Sequence, residues 1–365
     1  MQTREACSCH RLSFAETINV TDIRGDGNIT VSAGSGSTII ITTCSYDVPA
    51  PEEDSRALVP VVPKPVGKPQ MLNTKTQKSC RKYIDNLAML TSEGKILKCH
   101  STIAKLMKTK ADPDSQVSLR HAASLNAIYE GEFKKANRLL REVSAILPDT
   151  RNEAEHRLWW GNLKSVVKMR EGNINMGIVF AKEALPLLEA VAPGCMTAWL
   201  LLNHALLLTE IAAGQDDDDD RHFLVQRAET DYCHAIEHAE NDHSKQMLNS
   251  QLRLRVSPYA KIGLALLYLG CGISGDISRL AISDVPLDQI GKAKSVIAAL
   301  DRDGTVCNST KFWLMMVKTC LHYRQGSYQQ AYELAQEAKV FASEHSFGGF
   351  LNYAKNTVDF RKERV

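Results

Sequence analysis

The chain has 365 residues, 44 Lys+Arg against 42 Asp+Glu, and 44% hydrophobic residues. That composition excludes a collagenous, wholly disordered or polytopic membrane protein, and a net charge of +2 excludes a field that draws the whole chain onto nucleic acid or anionic lipid. One large domain or two modest ones remain.

Residues 1–17 carry no apolar run of the kind a secretory signal needs, so a cytoplasmic location with reduced thiols is expected for the ten cysteines. Cys7-Ser8-Cys9-His10 has metal-binding residue types but no second pair nearby. From 18 to 45 the chain is rich in β-branched residues and glycine. Gly25-Asp26-Gly27-Asn28-Ile29-Thr30-Val31 is echoed by Gly34-Ser35-Gly36-Ser37-Thr38-Ile39-Ile40, each a glycine turn followed by a β-prone run. A hairpin is the plain expectation. The sharper one is self-association through Ile29, Val31, Ile39, Ile40 and Ile41, since this uncharged, proline-free run suits cross-β stacking.

Six of the twelve prolines fall between Pro49 and Pro69, so 46–75 reads as an extended, semi-rigid linker. A helical body follows, over 76–345. Glycines punctuate it at Gly94, Gly131, Gly172 and Gly326, and after each comes a stripe of small or apolar residues at helical spacing. The clearest stripes are Phe133, Ala136, Leu140, Val143, Leu147 and Tyr328, Ala331, Ala335, Ala338, Ala342. Val225, Ala228, Tyr232, Ala235, Ala239 and Ile290, Ala293, Ile297, Leu300 keep the stripe without the glycine. Apolar helical stretches lie between, the most apolar being Ala198–Leu208, which is about half the ~20 residues of a membrane span and reads as a buried helix. About six helix pairs follow, with 346–365 as a C-terminal extension. Regular helix pairs of this order signal a solenoid.

The Gly-x-aromatic-x-x-Ala signature, with Pro148 twelve residues after Ala136, resembles the tetratricopeptide repeat. The resemblance implies an all-α, right-handed solenoid of helix hairpins whose first helices line a concave, peptide-binding groove. Counted back from each turn glycine, it implies exposed groove positions at His121, Leu125, Tyr129, Trp159, Asn162, Met169, Arg170, Trp313, Met316, Tyr323 and Arg324. The Lys/Asn clamp of chaperone-binding members is not reproduced. The kernel Ile23-Arg24-Gly25-Asp26-Gly27-Asn28 resembles the amyloid-forming homotypic motifs of innate-immune adaptors, with Arg24 standing where those motifs place an apolar residue.

His234-Ala235-Ile236-Glu237-His238 is the one enzyme-like string. It resembles the inverzincin motif and opens the alternative of a zinc-dependent hydrolase using His234, Glu237 and His238. The same helix already has a packing stripe, so incidental surface histidines are expected. Asp216 to Asp220 reads as a solvated loop. Glu210 to Asp242 holds eleven acids and two bases, net −9, whereas Lys64 to Lys110 holds eleven bases and two acids, net +9. These poles suit steering of charged partners. A helical RNA scaffold is the other alternative, although the basic stretch lacks interleaved aromatics. The reading is therefore a non-catalytic scaffold or adaptor that binds a protein or peptide, with no cofactor, no metal, no membrane span and no nucleic-acid partner.

Overall fold

The computed structural model describes residues 86–215, 217–240, 253–272, 285–303 and 307–362, together with the backbone of 19–23, 28–32 and 38–42. The expected linker and the segment 1–17 lie outside these residues. The chain divides into two compact units, Met1–Lys68 and Pro69–Val365.

In the first unit, β1 (Asn19–Ile23), β2 (Asn28–Ser32) and β3 (Thr38–Thr42) form an antiparallel sheet in that order. The register pairs Ile29 with Ile41, Thr30 with Ile40 and Val31 with Ile39. β1 meets β2 across an irregularity between Val20 and Asp22. The β-prone parts of the two echoed runs thus form β2 and β3, and a third strand precedes them.

The second unit is all-helical over its described residues. Helical residues 86–92 (α1) precede α2 (Ile96–Thr109), α3 (Pro113–Glu130), α4 (Phe133–Ile146), α5 (Glu153–Arg170), α6 (Ile174–Ala184) and α7 (Cys195–Ala213). Then come α8 (Asp218–Glu240), α9 (Arg253–Tyr268), α10 (Leu287–Asp303), α11 (Asn308–Arg324), α12 (Tyr328–Glu344) and α13 (Gly348–Lys362). All four punctuating glycines sit at positive φ, from 73° to 81°. A side chain there is strained, so glycine is the residue that lets the next helix double back.

Each odd helix from α3 to α11 packs on the even helix that follows it and, through α9, on the next odd helix. The stripes make the first kind of contact. Ala136, Leu140 and Val143 of α4 are fully buried, as are Ala228, Tyr232, Ala235 and Ala239 of α8. Small residues let helix axes approach closely. A Cβ on Gly263 of α9 would stand 2.3 Å from the Tyr232 ring, and the Tyr232 hydroxyl is 3.0 Å from Thr209 Oγ1. Tyr232 lies so deep that burial pushes its phenol above the ordinary tyrosine range.

Two expectations need refining. The C-terminal extension expected over 346–365 does not stand apart over its described residues, because α13 packs on α12 and returns to α3. The Tyr129 ring lies 5.7 Å from Phe347 and 5.0 Å from Phe350. Backbone meets backbone at this seam, where Gly349 faces the last turn of α3. Asn308 Nδ2 also donates to the Glu93 carbonyl at 3.2 Å. Nor are all the consecutive aspartates a loop. Asp218, Asp219 and Asp220 form the first turn of α8, where carboxylates meet the positive end of the helix dipole. Asp217 Oδ1 accepts from the backbone amides of Asp219 and Asp220 at 2.9 and 3.0 Å.

Among the described residues α7 alone is long and apolar enough to cross a membrane, and 78% of its most apolar stretch is buried inside the unit.

Candidate functional site

The inward sides of the odd helices meet around a cavity of about 100 Å³. α3 presents His121, Leu125 and Tyr129 at steps of four, which keeps them on one face. From α5 come Trp159, Asn162, Leu163, Val166 and Arg170, again at helical steps. α7 adds Trp199, Leu202, Asn203 and Leu206, and α9 adds Tyr259, Ile262 and Leu266. Trp313 of α11, Phe350 of α13, and Ala88 and Ser92 of α1 also line it.

Seven of the eleven expected groove positions therefore converge: His121, Leu125, Tyr129, Trp159, Asn162, Arg170 and Trp313. All were expected to be exposed, and the correction is that none of the seven is: His121, Trp159, Asn162 and Trp313 are buried, and Leu125, Tyr129 and Arg170 are half-buried. Trp159 and Trp313 retain 7% and 3% exposure and His121 1%, because α13 returns to α3 and covers what an open groove would expose. The other four lie elsewhere. Met169 and Met316 are buried in the main apolar core. Tyr323 stands edge-on to Tyr328 at 5.1 Å, and Arg324 Nε donates to the Leu269 carbonyl at 2.9 Å. Trp199, Asn203, Tyr259 and Phe350 were not among the expected positions. α7 is apolar on every side, so no periodicity marks which of its faces turns inward, and Phe350 follows the double glycine that seats α13.

The polar groups of the cavity fall into two sets. The first is satisfied within the wall. Asn203 Nδ2 donates to Asn162 Oδ1 at 2.7 Å, and the hydroxyls of Tyr129 and Tyr259 are 3.3 Å apart. Burial holds the Tyr259 phenol well above its ordinary pKa. The second set has no partner: both ring nitrogens of His121, Trp199 Nε1, and Nε and Nη1 of Arg170 are buried without a hydrogen bond. Native proteins leave few such groups.

Next to the cavity, His156 and Asp114 form a buried pair at 3.2 Å, and the Arg151 and Asn152 amides also donate to Asp114, each at 3.2 Å. Burial resists ionisation of this carboxyl, but the His156 hydrogen bond and the two amides outweigh it and hold Asp114 below its usual pKa. His121, 6.0 Å from the His156 ring, is pushed well below the ordinary histidine value, first by burial and then by His156.

A pH dependence follows. Unfolded His121 takes up a proton at about pH 6.5, whereas the folded residue resists it. Its contribution to stability is complete above that pH and is lost as the pH falls below it, with a slope of up to about 1.4 kcal/mol per pH unit. Asp114 acts at lower pH, its contribution being lost only below the ordinary carboxylate range. Urea unfolding at stepped pH is expected to show stability declining below pH ~6.5. His121→Leu should flatten most of that first decline, with His238, also held low by burial, retaining its smaller share. An unchanged slope in His121→Leu would contradict this assignment.

The enzyme-like string sits on α8. His234 and Glu237 are exposed, and His238 is half-buried with Nδ1 3.0 Å from Thr197 Oγ1. Among the described residues no group of three His, Cys, Asp or Glu side chains is arranged to hold a metal ion. No family model, no curated protein and no solved structure matches the chain.

Proposed function

We propose that this protein is a non-catalytic interaction scaffold: a right-handed, tetratricopeptide-like solenoid takes a peptide or protein partner on the inward faces of its odd helices, and residues 18–45 supply self-association. The observation that carries this reading is the convergence of His121, Leu125, Tyr129, Trp159, Asn162, Arg170 and Trp313 on one apolar cavity with unpartnered polar atoms. Tyr129, Trp159, Trp199, Tyr259, Trp313, Phe350 and Arg170 stand among the aliphatic residues of this lining, and aromatic and arginine side chains are those that binding hot spots favour. A cavity of about 100 Å³ suits one anchoring group of the partner, with the rest of the partner lying outside it. Among the described strands of the first unit β1 and β3 are the sheet edges, and a sheet edge is where further strands can pair.

Panning a random peptide library on the full chain tests the reading. Enriched peptides are expected to change tryptophan emission saturably and to bind Leu125→Arg, which fills the cavity, at least about tenfold more weakly. No enrichment, or equal affinity for a folded Leu125→Arg, would sink it.

A further inference from the structure

The cavity holds one uncompensated charge and a surplus of hydrogen-bond donors. Arg170 is the single formally charged residue in its lining. The guanidinium carbon lies 4.9 Å from the Trp313 ring centre, 5.0 Å from Phe350 and 4.9 Å from Tyr353. Ring faces hold a cation well, but they are poor substitutes for the oxygen acceptors a guanidinium prefers. Nε and Nη1 accordingly stay unpartnered, and so does the indole N–H of Trp199. His121, kept neutral by its burial, brings one donor and one acceptor, both unused. Asn203 Nδ2 is already given to Asn162 Oδ1.

The chemistry of an occupant can be read from this imbalance. A cation would oppose Arg170. An amide brings donors as well as acceptors to a site already rich in donors. A phosphate dianion carries twice the charge that Arg170 neutralises, and desolvating the excess in apolar walls is costly. A carboxylate supplies two acceptor oxygens, no donor, and the single negative charge that is missing. Leu125, Leu163, Leu206 and Leu266 wall the rest, so the group attached to the carboxylate is apolar, and the volume keeps it short.

We infer that the cavity takes a monocarboxylate with a short apolar body, its oxygens on the guanidinium of Arg170. This deepens the reading of the cavity as a ligand site and rests on it. The same chemistry is offered by a free short-chain acid and by the last residue of a peptide.

The test titrates isocaproate, and isohexanol as its uncharged match, into the full chain at neutral pH, following tryptophan emission. The acid is expected to bind saturably and at least about tenfold more tightly than the alcohol, and Arg170→Gln to bring the acid down to the alcohol's affinity. Where that variant fails to fold, the comparison of acid with alcohol on the natural chain decides. Acetyl-glycyl-leucine and its amide separate the sources. Tighter binding of this dipeptide acid than of isocaproate, with loss in the amide, assigns a chain end; the reverse order assigns a free acid. Equal binding of isocaproate and isohexanol overturns the carboxylate inference and leaves the cavity a ligand site. Silence of all four probes while a panned peptide binds also overturns the inference alone. Silence together with failed panning removes the underlying reading as well.

Discussion

Gly349→Ala is expected to destabilise the helical unit by about 2–3 kcal/mol and to shift tryptophan emission to longer wavelength. A Cβ at this position would stand 2.4 Å from the Ile128 carbonyl oxygen, with the Gly131 amide and the Tyr129 carbonyl both at 3.3 Å. All three are backbone atoms at the end of α3, so no rotamer change relieves the clash, and α13 must lift. Lifting it withdraws Phe350 from Trp313, where the rings are 5.5 Å apart, and admits water to the cavity. Gly291→Ala is the natural contrast. Its Cβ meets nothing within 4 Å on the exposed side of α10, and alanine in a helix is favoured over glycine by about 0.8–1 kcal/mol. Urea unfolding followed by fluorescence checks both. A Gly349→Ala variant as stable and as blue-emitting as the natural chain would refute the seam between α3 and α13.

Removal of Asp231 is expected to be costlier still. His204 Nδ1 and Asp231 Oδ2 are 2.7 Å apart with both side chains under 5% exposed, and they join α7 to α8 inside the largest apolar core. The second ring nitrogen of His204 is buried without a partner, so Asp231 is the group that answers the imidazole. Arg227, at 3.6 Å, reaches Asp231 from the solvent side. Asp231→Ala strands His204 in the core, and breaking a buried pair of this kind costs about 3–5 kcal/mol. Asp231→Asn keeps an acceptor oxygen and should cost less than half as much. Equal urea midpoints for the alanine variant and the natural chain would show that the pair contributes nothing.

Much of this arrangement was legible in the sequence, and the reasons are local. Gly94, Gly131, Gly172 and Gly326 announce helix reversals because positive φ is cheap only for glycine. Ala331, Ala335, Ala338 and Ala342 announce a packing face because their spacing is that of one side of a helix. The inward positions on α3 and α5, Met169 excepted, are those the tetratricopeptide resemblance implied when counted back from those turns. What the sequence concealed depends on residues far apart. Tyr129 meets Phe347 across more than 200 positions, and no spacing rule links them, so an open groove was expected where a largely buried cavity stands. The partnership of Asp114 with His156 was equally hidden, since either residue alone looks like an ordinary surface polar group. α7 hid its inward residues for the opposite reason: with apolar side chains all round, Trp199 and Asn203 carry no directional signal.

The odd helices and α13 line a common cavity, and the four tryptophans make that arrangement directly testable. Trp159, Trp199 and Trp313 line the cavity, while Trp160 turns away and donates to the Leu140 carbonyl at 2.8 Å. The full chain labelled with fluorotryptophan, and assigned by single Trp→Phe variants, should give fluorine NMR signals that respond selectively to dissolved xenon, which enters apolar cavities. The signals of Trp159, Trp199 and Trp313 are predicted to move together, with Trp160 unmoved. Three unmoved cavity signals, or a response confined to Trp160, would contradict the common cavity.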